Sequence, residues 1–310
     1  MHRVRRDQLV YAFDRAVPPV VEMQSGESVV VETYDASTGR LRAPEDLATY
    51  LAVRDRRKVN PAGGPIFVRG ARTGDELVVT IERITLADQG YVRAAPGGAV
   101  LADVDGPRAI IVKVEGDPSA SLRAGPSAGS GPATLVYPNG LRLPARPMVG
   151  VIGTAPAQGV VYTGDPGPQG SNLDCNAIRV GATVHLPVAV EGALLCIGDV
   201  HASMGDGEVS GTGVEINAEV QVKVESLFCG SHGWPWIESD DEVITTGHGP
   251  NVQDAINQAV DRLVRLLGER HGLSRTDAFM VISARGDVHV GQCCGGLDAT
   301  AYASFPKLSS

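Results

Sequence analysis

Val214-Glu215-Ile216-Asn217-Ala218-Glu219-Val220-Gln221-Val222-Lys223-Val224-Glu225 alternates without a break between apolar and polar residues. A two-residue period places Val214, Ile216, Ala218, Val220, Val222 and Val224 on one face of an extended strand and leaves the other face to water. Glu215 opens the polar face. Other Val- and Ile-rich runs bounded by Gly, Pro or Asp turns read the same way: Val29–Thr33, Leu77–Arg83, Ala109–Glu115, Val184–Val190 and Leu194–Val200. With Gly213–Glu225 they predict a mainly β protein with a few helices (α+β). The expected core is sandwich- or barrel-like, built from many short strands.

One segment has a helical period instead. Val252, Ala255, Ile256, Ala259, Val260, Leu263, Val264 and Leu267 recur at three- and four-residue spacing, predicting a core-facing helix from Val252 to Arg270. Asn251 is placed to cap its start and Gly272 to end it. Ser274-Arg275-Thr276-Asp277 has capping-box form and predicts a second short helix through Ile282. The result is a helix pair near the C-terminus packed on the sheet. Between the β-rich halves, Ser119 to Pro147 is looser, and Gly125-Pro126-Ser127-Ala128-Gly129-Ser130-Gly131-Pro132 reads as a flexible loop. The expected organisation is therefore 1–118, a connecting region 119–147, and 148–310.

Just before the alternating strand lies the chemistry. From Gly198 to Glu215 the chain carries Asp199, His201, Asp206, Glu208 and Glu215 on a backbone loosened by Gly198, Gly205, Gly207, Gly211 and Gly213. It follows Gly192-Ala193-Leu194-Leu195-Cys196-Ile197, a strand apolar enough to come from the interior. Oxygen and nitrogen donors crowded at the exit from a core are costly unless a cation or a reaction uses them. Asp199 and His201, two apart, project from one face when extended, as do Asp206 and Glu208. One imidazole with carboxylates suits a divalent ion such as zinc, manganese or calcium. No His-Glu-x-x-His sequence occurs, and no cysteines stand at zinc-ligand spacing.

Bulk properties narrow the partners. Net charge is 27 − 36 = −9, with no block of like charge, which argues against nucleic acid. Apolar runs are strand length, so no membrane span is expected. Met1-His2-Arg3-Val4-Arg5-Arg6 is basic but lacks the apolar run of a secretory leader. Cys175, Cys196, Cys229, Cys293 and Cys294 show no framework spacing and are expected to be reduced thiols in a cytoplasm. Cys293-Cys294 reads as two small structural residues. Of the other histidines, His185 is expected to be a satisfied strand residue, His232 and His248 loop residues, and His271 a favourable charge at a helix end. Asp287 to Gln292, with His289, is expected to return near the acidic run. Ser171, Ser203 and Ser210 lack the elbow or Lys partner that a serine nucleophile needs.

The motif Gly-Asp-x-His-x-x-x-Gly-Asp-Gly-Glu from Gly198, followed by a small-residue turn and Glu215, resembles the acetamidase/formamidase family. Further pieces agree in order: Val31–Asp35, Val59–Val68, Pro147–Gly153, Gly170-Ser171-Asn172-Leu173-Asp174, Leu186–Val188 and Pro235–Glu238. The resemblance covers roughly residues 25–295. It implies hydrolysis of a small aliphatic amide to carboxylate and ammonia by a metal-containing cytoplasmic homo-oligomer. By position it implies Asp199, His201 and Glu215 as metal ligands, with zinc the first expectation and calcium the second. Glu208 and Asp206 are then the candidate proton carriers. Asp35, Asn60, Gln169 and Asn172 are the candidate substrate contacts. Gln169 stands where the family pattern carries a His, and leaves an amide that can only hydrogen-bond. Two other readings stay open: hydrolysis of another carbon–nitrogen bond, cyclic or urea-like, and a non-catalytic relative holding a structural cation.

Overall fold

The computed structural model describes residues 1–95, 100–101, 103–121, 133–227, 230–294 and 298–308. The Gly125–Pro132 loop and Cys229 lie outside these. The chain is mainly β with three α-helices among the described residues, and its antiparallel sheet curls into a half-barrel. The alternating stretch forms Glu215–Leu227 and occupies the middle of that sheet. One edge pairs with Ser28–Thr33, in the register Val220 to Val31, and the other with Glu76–Ala94. Ile216, Val220, Val222 and Val224 are fully buried, as the two-residue period requires.

The strand length departs from expectation. Glu76–Ala94 runs for 19 residues rather than ending at Arg83. Asp88, Gln89 and Gly90 look like a turn in sequence, but a register shift opposite Ile216–Ala218 absorbs the irregularity and the strand continues to Ala94, its last part pairing with Arg108–Glu115. This bulged strand brings Tyr91 opposite Glu215.

The C-terminal helices form as their caps predict. α2 (Val252–His271) begins at Asn251, whose side chain accepts the Asp254 N–H, and stops at Gly272 in the left-handed region. α3 (Arg275–Arg285) begins at Ser274, which accepts the Asp277 N–H. α2 lies on the antiparallel pair Glu242–Gly249 and Ala299–Pro306, which place His248 in a strand rather than a loop. Neither strand is anticipated from the sequence; Ala299–Pro306 carries a weak strand signal because Ala299, Ala301 and Ala303 are small. At Gly247 a Cβ would come within 2.2 Å of the Ala255 carbonyl oxygen, so helix and strand meet only where the side chain is missing. α1 (Asp46–Val53) also lacks a sequence signal. It is eight residues long and has no side-chain cap at Glu45; its Asp46 carboxylate accepts the N–H groups of Arg42 and Ala43.

Where Thr183–Pro187 pairs with the start of the long strand on one edge and with Trp236–Glu238 on the other, Glu76 is buried among His185, His232 and Trp236. Its carboxylate contacts His185 Nδ1 at 2.8 Å and accepts Trp236 Nε1–H at 2.9 Å, while the His185 ring stacks on Trp236. Burial alone would raise Glu76, but hydrogen bonds from His185, His232 and Trp236 hold it down at about 2. A depressed folded-state pKa stabilises the protein fully above the ordinary carboxylate value and loses that stabilisation as pH falls through it. The wild-type protein is therefore expected to exceed Glu76→Gln in unfolding free energy by up to roughly 3 kcal/mol at neutral pH. Denaturant titrations from pH 6 downward should show that gap closing between about pH 4.5 and 2. A pH-independent gap would contradict it.

Candidate metal centre

The interior strand Leu195–His201 is buried along its whole length. It pairs with Met148–Gly153 on one side and Ala62–Arg69 on the other, and at its end His201 stands opposite both Met148 and Glu215. The strand thus delivers Asp199 and His201 to a point enclosed on both sides. Asp174, at the end of the Gly170–Asp174 run, faces the same point. So do Glu208, from the glycine-rich loop, and Glu215, from the central strand.

Two overlapping groups of potential ligands result. One donor atom each from Asp174, Asp199 and His201 lie within 4.8 Å of one another, and the same holds for His201, Glu208 and Glu215. All five side chains are at most 7% exposed. Asp174 Oδ1, Asp199 Oδ1 and His201 Nε2 are buried with no hydrogen-bond partner. Buried polar atoms are otherwise almost always satisfied, so three orphans at one point fit a cation. The donor chemistry agrees, since hard oxygens with one imidazole suit a divalent ion.

The second group is better supplied with partners. Glu208 accepts the Gly213 N–H at 2.9 Å and Glu215 accepts the Ala36 N–H at 3.3 Å. Both carboxylates also approach the ring: His201 Nε2 lies 3.6 Å from Glu208 Oε1 and 3.4 Å from Glu215 Oε1. On the opposite edge His201 Nδ1 meets Met148 Sδ at 3.2 Å.

Electrostatics reflect the crowding. Burial, with Glu215 next, raises Asp199 well above the carboxylate range. Burial and the Glu208 charge push Asp174 up to about 8. Burial opposes a charge on His201, yet Glu215 and Glu208 outweigh it and raise the imidazole well above its usual value. The cluster holds more carboxyl groups than can ionise together beside one ring, and a divalent cation would supply the charge to hold them ionised.

The backbone is shaped for this. Asn60 (φ 50°), Asp174 (φ 43°), Asp199 (φ 53°) and Glu208 (φ 45°) all occupy the left-handed region. Asn and Asp tolerate it; Glu does so less readily, and such residues gather at functional sites.

The other residues anticipated for the site fall in different places. Asp206 is on the partly exposed side of the loop, with Asn176 Nδ2 at 2.7 Å, Tyr302 Oη at 2.7 Å and His289 Nδ1 at 2.9 Å. Partial burial works against its charge, but those three hydrogen bonds keep it below its usual range. Asp35 is buried and binds its own loop, accepting from Ser37 N, Ser37 Oγ and Gly39 N; this turn presents the Ala36 N–H to Glu215. Asn60 Nδ2 donates to Asp199 Oδ2 at 2.8 Å and to Asn172 Oδ1 at 3.1 Å. Gln169 is buried beside Gly167, with both amide atoms free of hydrogen-bond partners.

Asp174 was not among the anticipated ligands, although it closes the quoted Gly170–Asp174 motif; nothing in its spacing links it to Asp199 across 25 residues. Gln292, the end of the stretch expected to return near the acidic run, carries no expected role in the sequence, and Cys294 reads there only as a small structural residue. Cys294 Sγ lies 3.5 Å from Glu208 Oε2, and Asn172 Nδ2 donates to Gln292 Oε1 at 3.3 Å. The segment after α3 does return to the acidic loop, where Gly207 N–H reaches the Val290 and Gly291 carbonyls.

Comparison with known proteins places the chain in a family. The profile of the Acetamidase/Formamidase family matches residues 4–165 and 162–231. The crystal structure of an acetamidase from Bacillus halodurans is 36% identical, with a TM-score of 0.88 and coverage of 98% of this chain and 97% of that one. A predicted acetamidase/formamidase from Thermoanaerobacter tengcongensis is 32% identical, with a TM-score of 0.87 over 98% and 95% of the two chains. A putative formamidase of Schizosaccharomyces pombe is 26% identical over 269 residues, which span 68% of this chain but only 62% of that relative. The chain belongs to the acetamidase/formamidase family.

Proposed function

We propose that this chain hydrolyses a short aliphatic amide, of formamide or acetamide type, to a carboxylate and ammonia at the buried cluster. The observation that carries the reading is the convergence of the unpartnered Asp174, Asp199 and His201 donors beside the Glu208 carboxylate. Asp174, Asp199 and His201 would hold a divalent ion, with Glu215 against the same ring; zinc is the first candidate and calcium the second. When bound, such an ion polarises a carbonyl and acidifies water.

Glu208 is the proton carrier in this account. It is in the cluster, whereas Asp206 is engaged with Asn176, Tyr302 and His289. As water adds to the carbonyl carbon, Glu208 takes its proton; as the carbon–nitrogen bond breaks, Glu208 returns that proton to the leaving nitrogen. The near-complete burial of the cluster favours a substrate of few atoms, since little space opens to solvent. Gln169, with its unpartnered amide, is the group proposed to recognise the substrate's amide.

A cytoplasmic location is supported by Cys175, Cys196, Cys293 and Cys294, all free thiols. No helix among the described residues is long and apolar enough to cross a membrane. A homo-oligomer is supported by Phe279 and Met280, each 57% exposed on the outer face of α3.

Turnover of a panel of formamide, acetamide, urea and a five-membered lactam tests the reading, followed as ammonia release for the first three and as the ring-opened amino acid for the lactam. Turnover of the linear amides is expected. Turnover only of the lactam or urea would favour the other carbon–nitrogen bond, and turnover of none would favour a cation-holding relative without activity.

A further inference from the structure

Between Asp199 and the C-terminal segment, three side-chain amides stand in series. Asn60 Nδ2 donates to Asp199 Oδ2 and to Asn172 Oδ1; Asn172 Nδ2 donates to Gln292 Oε1; Gln292 Nε2 donates to the Asp298 carbonyl oxygen at 3.1 Å. One end of this series is a peptide carbonyl, which only accepts, and at the other Asp199 Oδ2 accepts from Asn60. An amide can ordinarily be turned over with little consequence, but here one orientation satisfies every link. Turning Gln292 would set its NH2 against the NH2 of Asn172 and its oxygen against the Asp298 carbonyl.

The series has an effect at its far end. With Asn60 holding Asp199 Oδ2, the other oxygen, Oδ1, is left without a hydrogen-bond partner, in a residue that shares a potential ligand group with Asp174 and His201. Gln292 is itself fixed. It is 1% exposed, its N–H donates to Thr300 Oγ1 at 2.9 Å, and it bridges to Gly207 in the loop that carries Glu208. Cys294 Sγ stands 3.8 Å from Gln292 Oε1 and 3.5 Å from Glu208 Oε2, so the same segment touches the Glu208 carboxylate directly.

We infer that Gln292 is a positioning residue for the cation: acting through Asn172 and Asn60, it holds the Asp199 carboxylate with Oδ1 turned to the ion. The inference rests on the ion-binding part of the proposed function and not on the amide chemistry. Gln292 touches neither ion nor substrate.

The test is zinc affinity, read by competition with a chromophoric chelator, with a parallel calcium titration. Gln292→Met keeps the side chain's length and removes its hydrogen bonds; affinity is expected to fall about 10- to 100-fold. Gln292→Glu keeps an oxygen to accept from Asn172 and, as the neutral acid, an O–H for the Asp298 carbonyl. It should bind close to the wild-type affinity. Should Gln292→Met not fold, Gln292→Asn, an amide too short to span the gap, carries the same comparison and is expected to bind more weakly. Unchanged affinity in Gln292→Met (or in Gln292→Asn where that variant replaces it) overturns the inference, whatever happens to its melting temperature. Equal losses in Gln292→Met and Gln292→Glu overturn it too, because they would trace to packing. Wild-type protein that takes up neither ion removes the inference and the metal reading together. Wild-type protein that binds zinc and hydrolyses no amide removes only the activity.

Discussion

Glu208→Gln is expected to lose ammonia release by about 10²- to 10⁴-fold while keeping the wild-type content of divalent ion. The substitution is close to isosteric. The Gln carbonyl oxygen can still accept the Gly213 N–H that Glu208 accepts at 2.9 Å, so the loop should hold its shape. What disappears is the ability to take a proton from water and return it to nitrogen. An amide carbon is a poor electrophile and an unprotonated amine a poor leaving group, so both halves of the reaction suffer. Steady-state kinetics with parallel elemental analysis read the result. Ion loss in the variant would make Glu208 a ligand, and unchanged turnover would move the proton carrier elsewhere in the cluster.

Gly150→Ala is the second large effect expected, and it works from outside the ligand set. A Cβ at residue 150 would lie 2.6 Å from Asp174 Oδ1, 2.8 Å from the Asp199 carbonyl oxygen and 3.1 Å from Asp199 Oδ2. None of these atoms is the end of a flexible chain free to retreat; both carboxylates sit in a packed interior between Met148–Gly153 and Leu195–His201. One added methyl must displace a carboxylate or spread the strands. Overpacking of this kind costs about 1–3 kcal/mol. The variant should therefore unfold at lower denaturant and purify with little ion. Gly205→Ala is the control, because nothing lies within 4 Å of a Cβ there and the residue belongs to the same acidic loop. It should match the wild type in both measurements. Equal behaviour of the two variants would show that the Gly150 contact does not shape the cluster.

Much of this fold is legible along the chain because its signals are local. A strict two-residue period marked Glu215–Leu227, and caps at Asn251, Gly272 and Ser274 marked the helix pair. Ala299–Pro306 gave no such signal; its alanines are chosen by the closeness of α2, a contact between elements distant in sequence. The site divides in the same way. Asp199, His201, Glu208 and Glu215 fall within one short run, so composition alone drew notice to them. Asp174 and Gln292 join them only through folding, one from before the interior strand and one from beyond both C-terminal helices. Asp206 shows the converse. It is adjacent in sequence to the cluster, but one step along a loop turned it toward Asn176, Tyr302 and His289. Glu215 reads both as the first position of a wet face and, by resemblance, as a ligand; it is buried, and the loop at Asp35–Gly39 donates the Ala36 N–H to it.

The central claim is that Asp174, Asp199 and His201 jointly hold a divalent ion. Elemental analysis of the purified wild-type protein beside Asp174→Ala, after exhaustive dialysis, tests it most directly. The account predicts a stoichiometric divalent ion in the wild type and its loss in a variant that remains folded. Wild-type protein free of any such ion, or an Asp174→Ala variant that retains it in full, would contradict the account.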